Sequence, residues 1–546
     1  MFAPLLRKFR QLTTDPVLRC WLMGRVLGRW PGEPEFEAHR PSYLRRHLPY
    51  TCEVAAGAFD LRDVSSPKTL LQMQLAGIDL HLKPGDVLDV FERPFDDIEA
   101  HLSLHRFAWL AAHGEDVDPG WVDAIWVKWA EIYGVVDDSW VWHPYTASER
   151  AINILTFART YGWSGNQAAF RDLLALHAEN ITRKLEYFGD HHTSNHLANN
   201  GRGLYLLGLW MEMEKARDIG LTILLEEAQR IFMASGLLRE GSSHYHLLLA
   251  KNYKDVSVAA KQAGRPEHQQ LGKIADAALA RVGVLRLPGG LPLIGDISPD
   301  LAPDHVLKHM PAVSGKLAEF TVVDGWARLN LGPWSGLWHV APEGWSQMPG
   351  HGHQDLGGFE LHFQDEPVFI DLGRGAYGEQ GEAARYRSAV MHNGITLDDQ
   401  DPYPPNRPYY DDVFRQHAGG PKPVISHENS TVSLDFTSGG KSHHNRSWRF
   451  DHDEMMLSDK ISGSGSHKIT RRLHTCLSPK VIDGGILLSG KHTYQLQCTD
   501  GQIKINPATR WRAYGRGVPA YQIEISQVAQ LPYSSELNVE VINNAG

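Results

Sequence analysis

From about Phe95 to about Gly283 the apolar residues recur at three- and four-residue spacing, as in Ala108-Trp109-Leu110-Ala111, in Trp126-Val127 through Trp129-Ala130 to Ile132-Tyr133, and in Leu204 to Trp210. That period belongs to helices with one buried face. Polar or Gly-rich breaks at Tyr161-Gly162-Trp163-Ser164-Gly165-Asn166 and Arg239-Glu240-Gly241-Ser242-Ser243 divide the pattern into paired helices. Stacked helical hairpins suit a bundle, a solenoid or a toroid. The stretch from Leu285 through Gly289-Gly290 to Pro311 is rich in Pro and Gly, and beyond it the period falls to two. Phe359-Glu360-Leu361-His362-Phe363 turns at Gln364-Asp365-Glu366-Pro367 into Val368-Phe369-Ile370-Asp371. Val432 to Phe436 and Tyr521 to Ile525 continue the alternation, which predicts a β-sandwich of many antiparallel strands. The division is residues 1–95 as an N-terminal extension without an assignable role, 96–315 as the helical domain and 316–546 as the sandwich. No short repeat or low-complexity linker interrupts it.

At 546 residues the chain exceeds one ordinary core, in keeping with two or more domains. A formal charge of −10 argues against general nucleic-acid binding, although a locally basic cleft can still grip a polyanion. Cys20, Cys52, Cys476 and Cys498 lie far apart and read as free thiols, not as a disulfide scaffold or a Cys-x-x-Cys metal pair. Charges interrupt the basic start Met1 to Arg10, which reads as an amphipathic segment and not a secretion signal. With no run of about 18 apolar residues to span a bilayer, the cytoplasm is the expected location, and a periplasmic or secreted one applies if a leader was removed.

Chemistry concentrates in three places. His351-Gly352-His353-Gln354-Asp355 sits before a hydrophobic alternation and is followed by Asp371 and His392-Asn393, residue types that serve both proton transfer and metal binding. Asp190-His191-His192-Thr193-Ser194-Asn195-His196 runs into Asn199-Asn200-Gly201-Arg202 where an apolar helix begins. Asn195, Asn199 and Arg202 share one face of that helix, and His196 and Asn200 the next. A capped helix end in solvent explains this cluster as well as a ligand cleft does. Third, Glu240-Gly241-Ser242-Ser243-His244-Tyr245-His246 opens another helix, with Ser242 or Ser243 as its cap and Tyr245 in its first turn. Upstream, Trp142-His143-Pro144-Tyr145 through Arg150 to Asn153 is an aromatic and basic patch suited to a carboxylated sugar or to core packing.

The order Asn195-His196, Glu240 to Tyr245, Leu291-Pro292-Leu293-Ile294-Gly295-Asp296, His351 to Asp355, Asp371-Leu372-Gly373 and Tyr386-Arg387-Ser388 through His392-Asn393 resembles the heparinase II/III superfamily of polysaccharide lyases, which includes alginate and oligoalginate lyases. The resemblance runs from about Trp142 to the C-terminus. It implies an α+β multidomain fold, an N-terminal (α/α) incomplete toroid followed by an antiparallel β-sandwich, with a cleft between them. It also implies β-elimination beside a uronic acid, in which the C5 proton is removed and the C4 oxygen expelled, leaving an unsaturated uronate.

By that resemblance Asn195 neutralises the substrate carboxylate, with His196 and His351 donating beside it. Tyr245 protonates the leaving oxygen, and the base is Tyr245, His196 or His351 according to whether elimination is syn or anti. Arg150, Asn199, Arg202, Glu240 and His244 are the expected substrate contacts. His353, Asp371 and His392 match the superfamily's site for a divalent metal, zinc, in a structural role. The expected partner is an acidic polysaccharide or oligosaccharide, glycosaminoglycan, alginate or exopolysaccharide, with no nucleic acid and no membrane span; the oligomeric state is not legible. Two alternatives stand beside the lyase: a non-catalytic polysaccharide-binding protein of the same fold, and a glycoside hydrolase, which would need two carboxylic acids where Glu240 is the only nearby candidate.

Overall fold

The computed structural model describes residues 23–24, 26–28 and 40–542, apart from 87, 114–115, 189–193, 311–317, 341–350, 379 and 404–419. The amphipathic start, Cys20 and residues 190–193 of the histidine-rich cluster lie outside the described residues. The chain forms two compact units: Met1–Phe232 with Leu249–Asp276 and Ser298–His309, and Met233–Leu248 with Ala277–Ile297 and Met310–Gly546. Among the described residues no helix is long and apolar enough to cross a membrane.

The first unit is helical, as the three-to-four spacing predicts. Its main helices are Ile98–His105, Pro119–Tyr133, Pro144–Tyr161, Gln167–Arg183, Asn195–Trp210 and Glu214–Ile231. Short polar side chains set their starts. Asp97 accepts from the Glu99 amide, Asp118 from Gly120, and Asn166 from Ala168 and Ala169, each satisfying an N–H that the first turn leaves unpaired. Gly162, at φ 76°, ends Pro144–Tyr161 at the predicted break. Glycines then let helices approach closely. A Cβ on Gly220 would lie 2.3 Å from the Tyr205 amide nitrogen, and one on Gly203 2.7 Å from the Ser148 Cβ. These contacts seat Asn195–Trp210 between its neighbours. Residues before 95 join the same core through Leu44, Phe59, Leu71 and Met73, with Leu61 bridging to Trp163.

Among the described residues the second unit carries three antiparallel sheets, of eight, four and five strands, which share a main apolar core beside smaller clusters. The predicted turn after Phe363 is present: Gly358–Phe363 pairs with Glu366–Phe369 across Gln364, which takes a left-handed φ of 53°. Despite its alternation of apolar and polar residues, every residue of Gly358–Phe363 is buried. The polar side is covered by the Pro/Gly-rich segment, whose Gly289 amide donates to His362 Nδ1 at 3.1 Å, while His362 Nε2 donates to Glu360 at 2.8 Å. Paired in this way, the two polar side chains avoid the cost of unsatisfied burial.

A buried charge cluster pins two of the sheets together. Asp459 accepts from Arg446 Nε at 2.6 Å within the eight-stranded sheet and from Arg471 Nε at 2.7 Å on the four-stranded one. Burial by itself would raise the Asp459 carboxyl, but the two guanidinium groups outweigh it and hold it below its usual value. Asp459→Asn leaves both cations without their counter-charge and should cost about 3–5 kcal/mol in urea unfolding at neutral pH. Because the folded carboxyl is depressed, its contribution is present above the ordinary carboxylate range and fades as pH falls below it. The gap between wild type and variant should therefore narrow in acid.

Candidate functional site

In the first unit, Ser194 Oγ accepts from the His196 amide at 3.3 Å and so starts the helix that carries the predicted residues. Asn195 and Asn199 are buried, whereas the His196 side chain is 42% exposed. His196 Nδ1 lies 2.7 Å from Glu186 Oε1, and its ring sits 4.7 Å from that of Tyr145. Asn200 Nδ2 donates to Glu186 Oε2 at 2.9 Å, and Asn200 Oδ1 accepts from the Glu186 amide at 3.0 Å. His143 Nε2 stands 3.5 Å from the same Glu186 Oε1. One helical turn beyond Asn199, Arg202 binds Glu149 at 2.8 Å. Burial raises the Glu149 carboxyl, and Arg202 pulls against that rise.

Arg150, expected among the substrate contacts, is placed elsewhere. Its guanidinium is fully buried, 4.1 Å from the Trp129 ring and 5.0 Å from that of Trp142. It donates to His177 Nε2 and to the carbonyls of His105 and Val141. An arginine between two indoles and two carbonyls is core packing, the other reading that the aromatic patch allowed. Arg106, which sequence reasoning passed over, holds Glu99 at 2.9 Å and Asp300 at 2.8 Å, and Tyr145 donates to the second Asp300 oxygen at 2.7 Å.

In the second unit, Ser242 Oγ accepts from the Tyr245 amide at 3.1 Å, which places Tyr245 in the first turn of Ser243–Gln262 as predicted. The Tyr245 ring stacks on His351, centroids 3.7 Å apart and 17° between planes, and its hydroxyl is 2.6 Å from the Tyr377 hydroxyl. Tyr377 in turn donates to the Ile297 carbonyl at 2.9 Å. His351 lies between two carboxylates, with Nδ1 3.2 Å from Asp296 Oδ2 and Nε2 3.3 Å from Glu240 Oε2. Glu240 therefore backs the imidazole, and His244 is fully buried, so neither presents surface to a ligand as expected of them.

His353 Nε2 contacts Asp296 Oδ1 at 2.9 Å, an oxygen that Arg374 also reaches at 2.9 Å. Burial alone would raise the Asp296 carboxyl, but His351 and His353 hold it far below its usual range. His392 Nδ1 lies 2.8 Å from Asp371 Oδ2, and the rings of His353 and His392 are 5.2 Å apart. Among the described residues, the buried His353 Nδ1 and His392 Nε2 have no hydrogen-bond partner. Among the described residues no three His, Cys, Asp or Glu side chains already converge as a metal shell.

The structure thus brings Tyr245 to His351 and His353 to His392 and Asp371 in one unit, and Asn195, His196, Asn199 and Arg202 onto one helix in the other. Asp296, Tyr377, Arg374 and Glu186 were not among the predicted site residues. Asp296 closes the quoted Leu291 to Asp296 motif, and Tyr377 follows Asp371 in a Gly-rich stretch, so both carried a signal. Glu186, ten positions before His196, carried none.

Residues 316–539 match the family described as heparinase II/III-like, C-terminal. Solved structures of the same fold include heparinase III, at 17% identity over 83% of this chain and 79% of that one with a TM-score of 0.65. A second heparinase III, the BT4657 gene product, has 18% identity over 83% and 80% with a TM-score of 0.58. The heparan sulfate lyase HepC from Pedobacter heparinus has 14% identity over 99% and 93% with a TM-score of 0.54. No curated protein matches the chain in sequence. The helical first part and sheet-rich second part share the fold of these solved structures, and the family match lies within the sheet-rich part.

Proposed function

We propose that this chain is a polysaccharide lyase that cleaves a uronic-acid-containing polymer by β-elimination. The observation that carries the reading is Tyr245, a phenol stacked on His351 with its hydroxyl hydrogen-bonded to a second phenol, Tyr377. A proton donor held in this way suits an expelled sugar oxygen. The C5 proton of a uronate is only weakly acidic, because the adjacent carboxylate resists further negative charge. Donors preorganised around that carboxylate stabilise the enolate-like transition state, and the Asn195 amide supplies this with an imidazole beside it. His196 is the base in this reading.

The carboxylates near these residues disfavour hydrolysis. Glu240 and Asp296 are engaged by His351, His353 and Arg374, and Glu149, Glu186 and Asp300 by Arg202, His196 and Arg106. A glycoside hydrolase needs one protonated and one ionised acid at the scissile bond. A purely binding protein has no use for the tyrosine pair.

A divalent metal with the preferences of zinc fits the second unit. His353 Nδ1 and His392 Nε2 are buried acceptors or donors without partners, and Asp371 lies against His392. Two imidazoles and one carboxylate are an ordinary zinc donor set. The metal would supply a cross-link between the loop of His353 and the strands around Asp371, a structural role. The substrate is a glycosaminoglycan, alginate or acidic exopolysaccharide.

Digestion of hyaluronan, chondroitin, heparan, heparin, alginate and acidic exopolysaccharides, followed by ultraviolet absorbance of the conjugated product, tests the reaction. Absorbance should rise with at least one polymer; reducing ends without absorbance would mean hydrolysis, and binding without cleavage a lectin-like role. On the polymer that is cleaved, Tyr245→Phe should remove turnover from a protein with unchanged circular dichroism, and near-normal activity would eliminate Tyr245 as the acid. Asn195→Ala should lower kcat by about 100- to 1000-fold, the loss seen when one oxyanion-stabilising donor is removed. His353→Ala should reduce both bound metal, measured by elemental analysis, and the melting temperature; an unchanged metal content would place the ion elsewhere.

A further inference from the structure

We infer that Glu186 is a positioning residue that fixes His196 in the tautomer protonated on Nδ1, so that Nε2 carries the lone pair that accepts the C5 proton. This rests on the lyase reading above. Glu186 is buried between the helices Gln167–Arg183 and Asn195–Trp210. Burial alone would raise its carboxyl, but the His196 and His143 imidazoles and the Asn200 amide outweigh that and hold it below its usual value. An ionised carboxylate has no proton to give, so in the 2.7 Å contact the hydrogen belongs to His196 Nδ1. A neutral ring with Nδ1 protonated has its lone pair on Nε2.

Asn200 makes the anchor rigid. Its amide donates to Glu186 Oε2 and accepts from the Glu186 backbone N–H, gripping the residue at both ends. Asn200 stands four positions after His196 on the same helix face, so one helix carries both the imidazole and the group that aims its anchor. The arrangement closes on itself: Asn200 orients Glu186, and Glu186 orients His196. A packing role would require no carboxylate directed at an imidazole that is 42% exposed. His143, at 3.5 Å from the same oxygen, is the more distant of the two imidazoles, and burial lowers its pKa, leaving the carboxylate's charge chiefly to His196.

The proton balance is simple. The C5–H bond breaks, its proton moves to Nε2, the electron pair is taken up toward the uronate carboxylate and then forms the C4–C5 double bond as the C4 oxygen leaves with a proton from the general acid. The imidazolium so formed is stabilised by the Glu186 charge.

The test is Glu186→Gln. A glutamine amide can present either N–H or oxygen to Nδ1, so it removes the charge and the tautomer preference while keeping the shape. On the cleaved polymer kcat should fall by about 100- to 10,000-fold, the upper figure being the loss seen when a carboxylate orienting a catalytic histidine is replaced by its amide. KM should stay within about twofold, and Glu186→Asp should recover part of kcat. In protein labelled with 15N-histidine, the His196 signal should report a protonated Nδ1 in wild type and lose that signature in Glu186→Gln. Asn200→Ala keeps the carboxylate but loosens it, and should give the same changes in smaller measure should the glutamine variant not fold. A kcat within twofold of wild type in a folded Glu186→Gln, or an unprotonated Nδ1 in wild type, overturns the inference. A wild type that cleaves no uronate polymer overturns the lyase reading instead, and the labelled-histidine signal still decides whether Glu186 sets the tautomer.

Discussion

The second unit's chemistry hangs on one buried carboxylate. Asp296 Oδ2 takes His351, and Oδ1 takes both His353 and Arg374. An isolated charge at that depth would be prohibitive, and three donors make it tolerable. The backbone around it does as much. The Asp296 amide donates to the His351 carbonyl, the Asp296 carbonyl accepts from Ser242 Oγ, and the next carbonyl, of Ile297, accepts from Tyr377. Ser243 is tied to the carbonyls of Pro292 and Ile294. The start of the Tyr245 helix, the His351 loop and the Tyr377 hydroxyl are therefore all referenced to residues 292–297. Gly295 lets them converge: its φ is +80°, and a Cβ there would meet the Gly241 carbonyl at 2.6 Å and the His351 carbonyl at 2.9 Å.

The first unit solves a similar problem with Glu186. In both units an imidazole is met by a carboxylate that is itself buried and clamped, by Asn200 in one case and Arg374 in the other. Rigid acceptors behind the imidazoles cost stability only when a partner is lost, which makes each cluster sensitive to single changes. The same pairing keeps the local acids occupied.

The fold was largely legible, because periodicity reports which faces are buried. Ala108 to Tyr133 and Leu204 to Trp210 lie in helices, Gly162 ends one where the break predicts, and Val432 to Phe436 and Tyr521 to Ile525 lie in strands. The burial of both faces of Gly358–Phe363 was not legible, since alternation cannot tell a wet face from one covered by Gly289 and its neighbours. Capping chemistry also read through: Ser194 and Ser242 start the helices that carry His196 and Tyr245. Side-chain partners did not. Arg150 looked ligand-facing because an arginine beside tryptophans has the same signature on a surface and between two indoles. Asp296 and His351 are 55 positions apart, and nothing local announces that one serves the other.

The pair His351 and His353, divided by sequence between substrate and metal, shares one anchor. One was expected to face substrate and the other a metal, as if the intervening glycine separated two tasks. Both imidazoles also draw on the two oxygens of the same carboxylate. A shift of Asp296 toward one ring is a shift away from the other, so any change at His353 is felt at His351, and through the 3.7 Å stack at Tyr245. A structural ion on His353 would then tune the acid's position without touching substrate, by fixing the carboxylate on which both histidines lean.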